Sequence, residues 1–155
     1  MVTSAIIFSE LFHTGIVVDD VDATKAELSD LIGVTWGFEG EMEQPVWFPD
    51  GGPSAVTFRF AYTAEGPHRL ELVRPVPGTL WTVAGVGHAH HFGFWCEDVP
   101  AASAELARRG APLVAKIGVD TADAPAAIVY HRPKSGVYLE LIAAANRPLM
   151  FGEDA

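Results

Sequence analysis

The chain has 155 residues, with 20 acidic against 10 basic side chains and a formal net charge of −10. A field of that sign repels polyanions, so nucleic acid is excluded as a partner and highly anionic substrates are disfavoured unless a local cluster of Arg and Lys receives them. The single cysteine, Cys96, excludes an intrachain disulfide and a Cys-rich zinc site, no window approaches ~20 uninterrupted apolar residues, and Met1 to Ser9 lacks the basic start of a signal peptide, so a cytoplasmic chain without membrane contact is expected.

In chain order, Phe12 to Val18 alternates with β-branched residues and predicts a strand, and Asp20 is placed to cap a helix over Val21 to Ile32, closed by Gly33. Val34 to Pro53 mixes aromatic, Gly, Pro and acidic residues and reads as short strand pieces and loops. Ala55 to Tyr62 and His68 to Arg74 predict a hairpin across Ala64-Glu65-Gly66-Pro67. His90 to Cys96 predicts a further strand, Asp98 a cap, Ala101 to Arg109 a helix with Pro100 in its first turn, and Gly110 its end. Ala126 to Arg132 and Val137 to Ala143 predict the last hairpin, and 146–155 reads as a loose tail that pins Leu149, Met150 or Phe151.

The second half replays the first. Leu11 to Val21, L-F-H-T-G-I-V-V-D-D-V, aligns with the stretch ending at Val99, A-H-H-F-G-F-W-C-E-D-V, and pairs His13 with His91, Gly15 with Gly93 and Asp20 with Asp98 at one constant offset of 78 residues. R-L-E-L-V around Glu71 is echoed by Y-L-E-L-I around Glu140. A repeat of this kind fixes architecture before any other feature. It divides the chain into a first module at 1–78, a linker at 79–87, a second module at 88–145 and the tail at 146–155. Each module is expected to run strand, helix, then about three strands.

The repeat singles out His13, Glu71, His91 and Glu140. Alternation puts Phe12, Ile16 and Val18, like Phe92, Phe94 and Cys96, on the helix side and His13 with Leu11, Gly15 and Val17 on the other. Glu71 and Glu140 are each flanked by leucines, and a carboxylate in such a strand is costly unless solvated, paired or bound to a metal. Two imidazoles and two carboxylates suit divalent Zn, Ni, Co, Mn or Fe, and such an ion polarises a carbonyl as a Lewis acid. Trp36, Trp47, Phe48 and Trp81 fall in predicted loops and are candidates, with Arg69 and His131, for the wall of a substrate pocket. By register His90 falls opposite His91 as a bystander, and His88 is a candidate to hydrogen-bond a ligand or substrate.

The repeated F-H-T-G-I-V-V-D-D-V and H-H-F-G-F-W-C-E-D-V, with L-E-L closing each half, resemble the vicinal oxygen chelate superfamily. That superfamily holds glyoxalase I, methylmalonyl-CoA epimerase, extradiol dioxygenases and bleomycin-resistance proteins. The resemblance implies an α+β fold of two βαβββ modules forming a curled mixed sheet around a metal cavity, often in a homodimer. It carries over His13, Glu71, His91 and Glu140 as ligands of a divalent metal ion. The extradiol dioxygenases are similar in using residues equivalent to His13, His91 and Glu140 without a carboxylate ligand at Glu71, and the epimerases often have Gln there, so the full set looks more like glyoxalase I. What the resemblance implies is a metal-dependent isomerase or lyase in which Glu140 or Glu71 moves a proton next to a carbonyl through a metal-stabilised enediolate. The aromatic loops favour a small hydrophobic carbonyl substrate over a glutathione or coenzyme A adduct. The alternatives are an Fe or Mn oxygenase of an aromatic or polyketide-like substrate and a metal-free protein that sequesters a ligand.

Overall fold

The computed structural model describes residues 6–83 and 89–152, so His88 and the end of the predicted linker lie outside the described residues. β1 (Leu11–Val17) leads through the Asp20 cap, which accepts from the Ala23 amide, into α1 (Val21–Ile32), and Gly33 ends it in the left-handed region at φ 72°. β2 (Trp36–Phe48), β3 (Gly52–Thr63) and β4 (Arg69–Val73) follow. The order then repeats: β5 (His91–Cys96), α2 (Val99–Arg108) capped by Asp98, β6 (Leu113–Ile117), β7 (Ile128–His131) and β8 (Tyr138–Ala143). A short α3 (Arg147–Phe151) completes the chain.

The eight strands close in the order β1-β4-β3-β2-β6-β7-β8-β5. Two junctions close the ring: antiparallel β1 and β5, and antiparallel β2 and β6, the latter through Val46 opposite Ile117 and Trp47 opposite Lys116. Both junctions lie within one chain. Each module pairs its first strand with its last in parallel, β1 with β4 and β5 with β8, which brings the strands bearing His13, Glu71, His91 and Glu140 side by side as β4-β1-β5-β8.

Apolar side chains on the inner face form the main core, with Val46, Phe58, Phe60, Trp81, Trp95 and Ile142 among its members. Smaller clusters lie under the helices, Val21 and Leu72 beneath α1, and Phe94, Val99, Ala102 and Leu141 beneath α2. The predicted faces hold for Ile16, Val18, Phe92, Phe94 and Cys96, which pack on the helix side. Phe12 and Leu11 are exchanged. A bulge between Leu11 and His13 makes two residues of β1 oppose one step of β5, so Phe12 turns inward to stack on Trp95 at 3.8 Å between ring centroids while Leu11 packs with the α2 cluster.

Two expectations change further. Residues 36–48 form one continuous strand rather than pieces and loops, because β3 pairs with it along its length, from Trp36 opposite Thr63 to Phe48 opposite Gly52. The expected tail pins Phe151, whose ring meets Phe12, Phe38, Tyr62 and Trp95, but it is a 3₁₀ turn and a helix rather than loose chain as far as Gly152, and 153–155 lie outside the described residues.

Candidate metal centre and cavity

The residues His13 and His91 face each other across the β1–β5 junction, and two glycines make room for them. Gly15 lies opposite His91 and Gly93 opposite His13. A Cβ on Gly15 would stand 1.9 Å from the His91 ring, and one on Gly93 would stand 1.9 Å from the His13 ring. Each imidazole therefore lies flat over the bare backbone of the other strand, which is the physical content of the repeated His-x-Gly.

The imidazoles point their Nε2 atoms at one another, 3.0 Å apart. Glu140 Oε2 lies 2.9 Å from His13 Nε2 and 3.2 Å from His91 Nε2, and Glu71 Oε2 lies 2.8 Å from His91 Nε2 and 3.2 Å from His13 Nε2. One donor atom from each of the four residues falls within 4.8 Å of every other, and all four residues are buried. Donors that bind one ion at about 2.0–2.2 Å sit roughly 3 Å apart when adjacent, which is the spacing found here. Glu140 Oε2 is buried without a hydrogen-bond partner among the described residues. The set therefore fits a divalent cation in number, chemistry and spacing.

Electrostatics points the same way. Burial alone lowers the pKa of His91, but Glu140 and Glu71 outweigh it and raise the group to about 10. His13 is raised by the same carboxylates against the same burial. Burial raises Glu71 and Glu140, yet the facing imidazoles hold both below the ordinary carboxylate range. Two buried carboxylates demand positive charge, supplied by protons on the imidazoles or by a cation in their place.

His90 is not the bystander that register suggests. Its Nε2–H donates to the Leu80 carbonyl at 2.9 Å, which leaves its Nδ1 as an acceptor 2.8 Å from His91 Nδ1. That bond fixes the proton of His91 on Nδ1 and turns the Nε2 lone pair to the cluster. Burial, followed by the charge of His91, lowers His90 to about 4 and keeps it neutral as an acceptor. His13 Nδ1 has no counterpart to this bond among the described residues. His90 stands just before β5 begins, where strand alternation no longer decides which way it points.

Glu71 and Glu140 form part of the wall of a cavity of about 490 Å³ inside the barrel. Phe38, Phe58, Phe60, Trp81 and Met150 supply much of the remaining wall, with Tyr62 and Tyr130 beside the glutamates. Neither Arg nor Lys lines it among the described residues, and Gln44, Asn146 and the Trp81 indole are uncharged polar groups in its wall besides the tyrosines. Burial, then the two carboxylates, raises both tyrosines well above their ordinary pKa, so they remain protonated donors.

Of the six predicted pocket residues, Trp81 lines this cavity and the other five do not. The shift in strand register between Trp36 and Glu39 turns Trp36 outward, where its indole donates to Ser29 Oγ of α1 at 3.0 Å. Trp47 alternates to the outer face, with the Lys116 ammonium 6.0 Å from its ring. Phe48 packs behind the wall against Trp81. The Arg69 guanidinium donates to the carbonyls of Thr63 and Ala64 and covers the Phe151 ring at 4.0 Å. His131 follows the inward-facing Tyr130 and so faces α2. Its Nδ1–H donates to the Ala111 carbonyl at 2.7 Å and its Nε2 accepts from the Ser103 hydroxyl at 2.7 Å. Tyr62 and Tyr130 were legible as alternate residues of strands whose other face packs on helices, but nothing in their type separates them from ordinary core aromatics.

A sequence model described as the glyoxalase/bleomycin resistance protein/dioxygenase superfamily matches residues 12–130. No curated protein matches the chain significantly. Among solved structures, the methylmalonyl-CoA epimerase from Mycobacterium tuberculosis is similar at 24% identity and a TM-score of 0.60, over 92% of this chain and 91% of that one. A variant of the Streptomyces coelicolor methylmalonyl-CoA epimerase, bound to 2-nitronate-propionyl-CoA, is similar at 22% identity and a TM-score of 0.60, over 88% and 97%. A hypothetical protein from Bacillus halodurans is similar at 16% identity and a TM-score of 0.55, over 84% and 91%. At these identities the likeness is one of fold.

Proposed function

Because the chain belongs to the glyoxalase/bleomycin resistance protein/dioxygenase superfamily, we propose that it is a divalent-metal-dependent enzyme of the isomerase or lyase kind. It moves a proton next to a carbonyl of a small, mainly apolar substrate. The observation that carries this reading is the buried set His13, Glu71, His91 and Glu140, gathered by one chain at the wall of an apolar cavity.

His13, Glu71, His91 and Glu140 would hold the ion, and His90 keeps His91 in the tautomer that offers Nε2. A bound divalent ion supplies Lewis acidity toward a substrate carbonyl. The chain's own part in the chemistry falls to Glu71 and Glu140. A carboxylate within reach of a carbon next to a carbonyl takes its proton as general base and returns it as general acid. The aromatic wall limits the water that can compete for that proton. Glu71 as a fourth member of the cluster favours this chemistry over an oxygenase with two imidazoles and one carboxylate. The cost of burying two carboxylates beside an apolar cavity weighs against a purely sequestering role without metal.

The two epimerases are named for a coenzyme A thioester. This cavity has no Arg or Lys in its described wall to receive a coenzyme's phosphates, and the net charge of −10 adds repulsion. A substrate without a phosphorylated carrier fits it better.

The reading is tested by removing metal with chelator, restoring Zn, Ni, Co, Mn or Fe one at a time, and following hydrogen–deuterium exchange next to the carbonyl of phenyl-substituted hydroxyketones by NMR. The expected result is one ion per chain and exchange that returns with a subset of metals, falling by about 10²–10⁴-fold in the better-placed of Glu71→Gln and Glu140→Gln. A chain that takes up no ion, or an exchange rate indifferent to both substitutions, would overturn it.

A further inference from the structure

Leu80 and Trp81 are neighbours in the turn that joins the two modules, inside the stretch expected to be a plain linker, and each starts a hydrogen-bond chain that ends on the cluster. The Leu80 carbonyl accepts from His90 Nε2–H at 2.9 Å, and His90 Nδ1 accepts from His91 Nδ1–H at 2.8 Å. The Trp81 indole donates to the Tyr130 hydroxyl, which donates in turn to Glu140, its neighbour across the strand pair. The Trp81 and Tyr130 rings meet edge-on at 5.3 Å and 86°, and Trp81 is 1% exposed. One chain ends on the imidazole, and the other on the carboxylate, that the second module gives to the cluster.

The turn itself is knit together. The Thr79 hydroxyl donates to the Val76 carbonyl at 2.7 Å and accepts from the Trp81 amide at 3.2 Å, and the Val76 amide donates to the Trp81 carbonyl at 2.8 Å. The Leu80 carbonyl takes the Thr82 amide as well, at 2.9 Å. These bonds fix the Leu80 carbonyl and the Trp81 backbone relative to each other, so the two chains share one rigid origin. The first module has no match for this support. Phe12 occupies the place of His90 at the repeat's offset of 78 residues and offers no acceptor, and His13 Nδ1 is buried without a partner among the described residues. Tyr62 bonds Glu71, but the rings of Phe38, Phe60 and Phe151 packed around it have no donor to pass on.

Resting on the metal-dependent reading of the cluster, we propose that the Leu80–Trp81 turn positions both metal ligands of the second module, His91 through the Leu80 carbonyl and His90, and Glu140 through the Trp81 indole and Tyr130. His90, Trp81 and Tyr130 are positioning residues, none of them a member of the cluster. Because Trp81 also faces the cavity, the same turn joins the wall of the cavity to the grip on the ion.

The test measures cobalt(II) affinity by competition with a chelator in the full chain, for wild type, His90→Phe, His90→Asn, Trp81→Phe, Tyr130→Phe and the double variant Trp81→Phe/Tyr130→Phe. Solvent exchange of the His91 Nδ1–H is followed by NMR in the cobalt-loaded and the chelator-treated chain. His90→Phe is expected to lower the affinity about 10–100-fold and to open the His91 Nδ1–H to exchange. His90→Asn, which sets an amide oxygen near the place of Nδ1, should recover most of both losses. Trp81→Phe keeps a ring in the wall but removes the donor, so a loss of about three- to tenfold is expected, the size of one neutral hydrogen bond. In the Tyr130→Phe background it should cost nothing further, because the two residues act in one chain. Variants that melt lower without metal yet bind cobalt like wild type, His90→Asn no better than His90→Phe, or additive losses for Trp81 and Tyr130 would overturn the proposal. A wild-type chain that takes up no cobalt would overturn the metal reading instead. Protection of the His91 Nδ1–H in the chelator-treated chain, compared between wild type and His90→Phe, would then still decide whether the turn holds that imidazole.

Discussion

Gly15 and Gly93 carry no functional group, yet they set the geometry of the cluster more tightly than any side chain around it. His13 lies between Phe12 at 4.4 Å and Tyr62 at 5.2 Å from ring to ring, so it has no free space to retreat into when a methyl group arrives from Gly93. Gly93→Ala is expected to cost about 1–3 kcal/mol through overpacking and to abolish stoichiometric metal binding. Gly51→Ala, whose Cβ would meet Phe48 at an ordinary 3.7 Å, is expected to stay within about 0.5 kcal/mol. Denaturant melts and metal analysis of the two variants check this, and a Gly93→Ala chain that binds metal like wild type would mean that the ring has room to move. At this scale the repeat made His13, His91, Glu71 and Glu140 legible, because equal spacing in two halves marks residues that topology must bring into equivalent places. The use of the glycines was hidden, since it lies in a contact between strands 78 residues apart. Tyr62 and Tyr130 escaped for a related reason: they follow the hairpin spacing of Glu71 and Glu140 rather than the offset of the histidines, and a tyrosine in an alternating strand looks like any core aromatic.

Elements with a strong local signature were legible nearly to their ends. Asp20 and Asp98 accept from the third residue beyond, as N-caps do, and Gly33 and Gly110 take positive φ where the helices stop. β2 was not legible, because Gly37, Gly40 and Pro45 interrupt it and most of its residues stay at least partly exposed; its regularity comes from β3, a partner later in the chain. Register shifts at Phe12 and after Trp36 explain why alternation misplaced side chains there. His131 belongs at this scale too, since its two hydrogen bonds tie β7 to α2 and to the turn that follows it. Burial lowers its pKa below 6.5, only partly opposed by the Ala111 carbonyl. Its folded state holds the proton less well than the unfolded chain does, so its contribution is complete above about pH 6.5 and is lost as pH falls through the depressed folded value. The stability gap between wild type and His131→Gln is therefore expected to narrow from pH 7 to pH 5 in urea melts. His90 titrates in the same direction, but it is present in both proteins and cancels from the difference. A gap that is constant or widens on acidification would mean that His131 is not held neutral by its surroundings.

At the scale of the whole molecule, the four members of the cluster belong to four adjacent strands, β4-β1-β5-β8, and straddle one of the two junctions between the repeated halves. The other junction rests on the short pairing at Val46 and Trp47. The sequence repeat announces two similar halves, but strand patterns alone are silent on whether they close on each other or on a second chain; that depends on pairings between β1 and β5 and between β2 and β6 that no local pattern encodes. Closure within one chain has a thermodynamic consequence. An ion held by His13 and Glu71 from one half and His91 and Glu140 from the other cross-links both sides of the junction, so its binding is coupled to folding of the entire barrel and not to one half of it. With free ion at a thousand times its Kd, linkage adds about 4 kcal/mol. For a domain of this length each kcal/mol moves the melting midpoint by about 2–4 °C, so chelation is expected to lower Tm by roughly 10 °C. The transition should remain single in both states. His91→Gln should show a much smaller metal-dependent shift, because one donor of the four is lost and Glu140 alone ties the second half to the ion. Calorimetry on the loaded and chelated chain checks all three outcomes. A chelated protein that melts in two steps would show that one half outlives the other, and a wild-type midpoint indifferent to metal would remove the ion from the barrel's stability altogether.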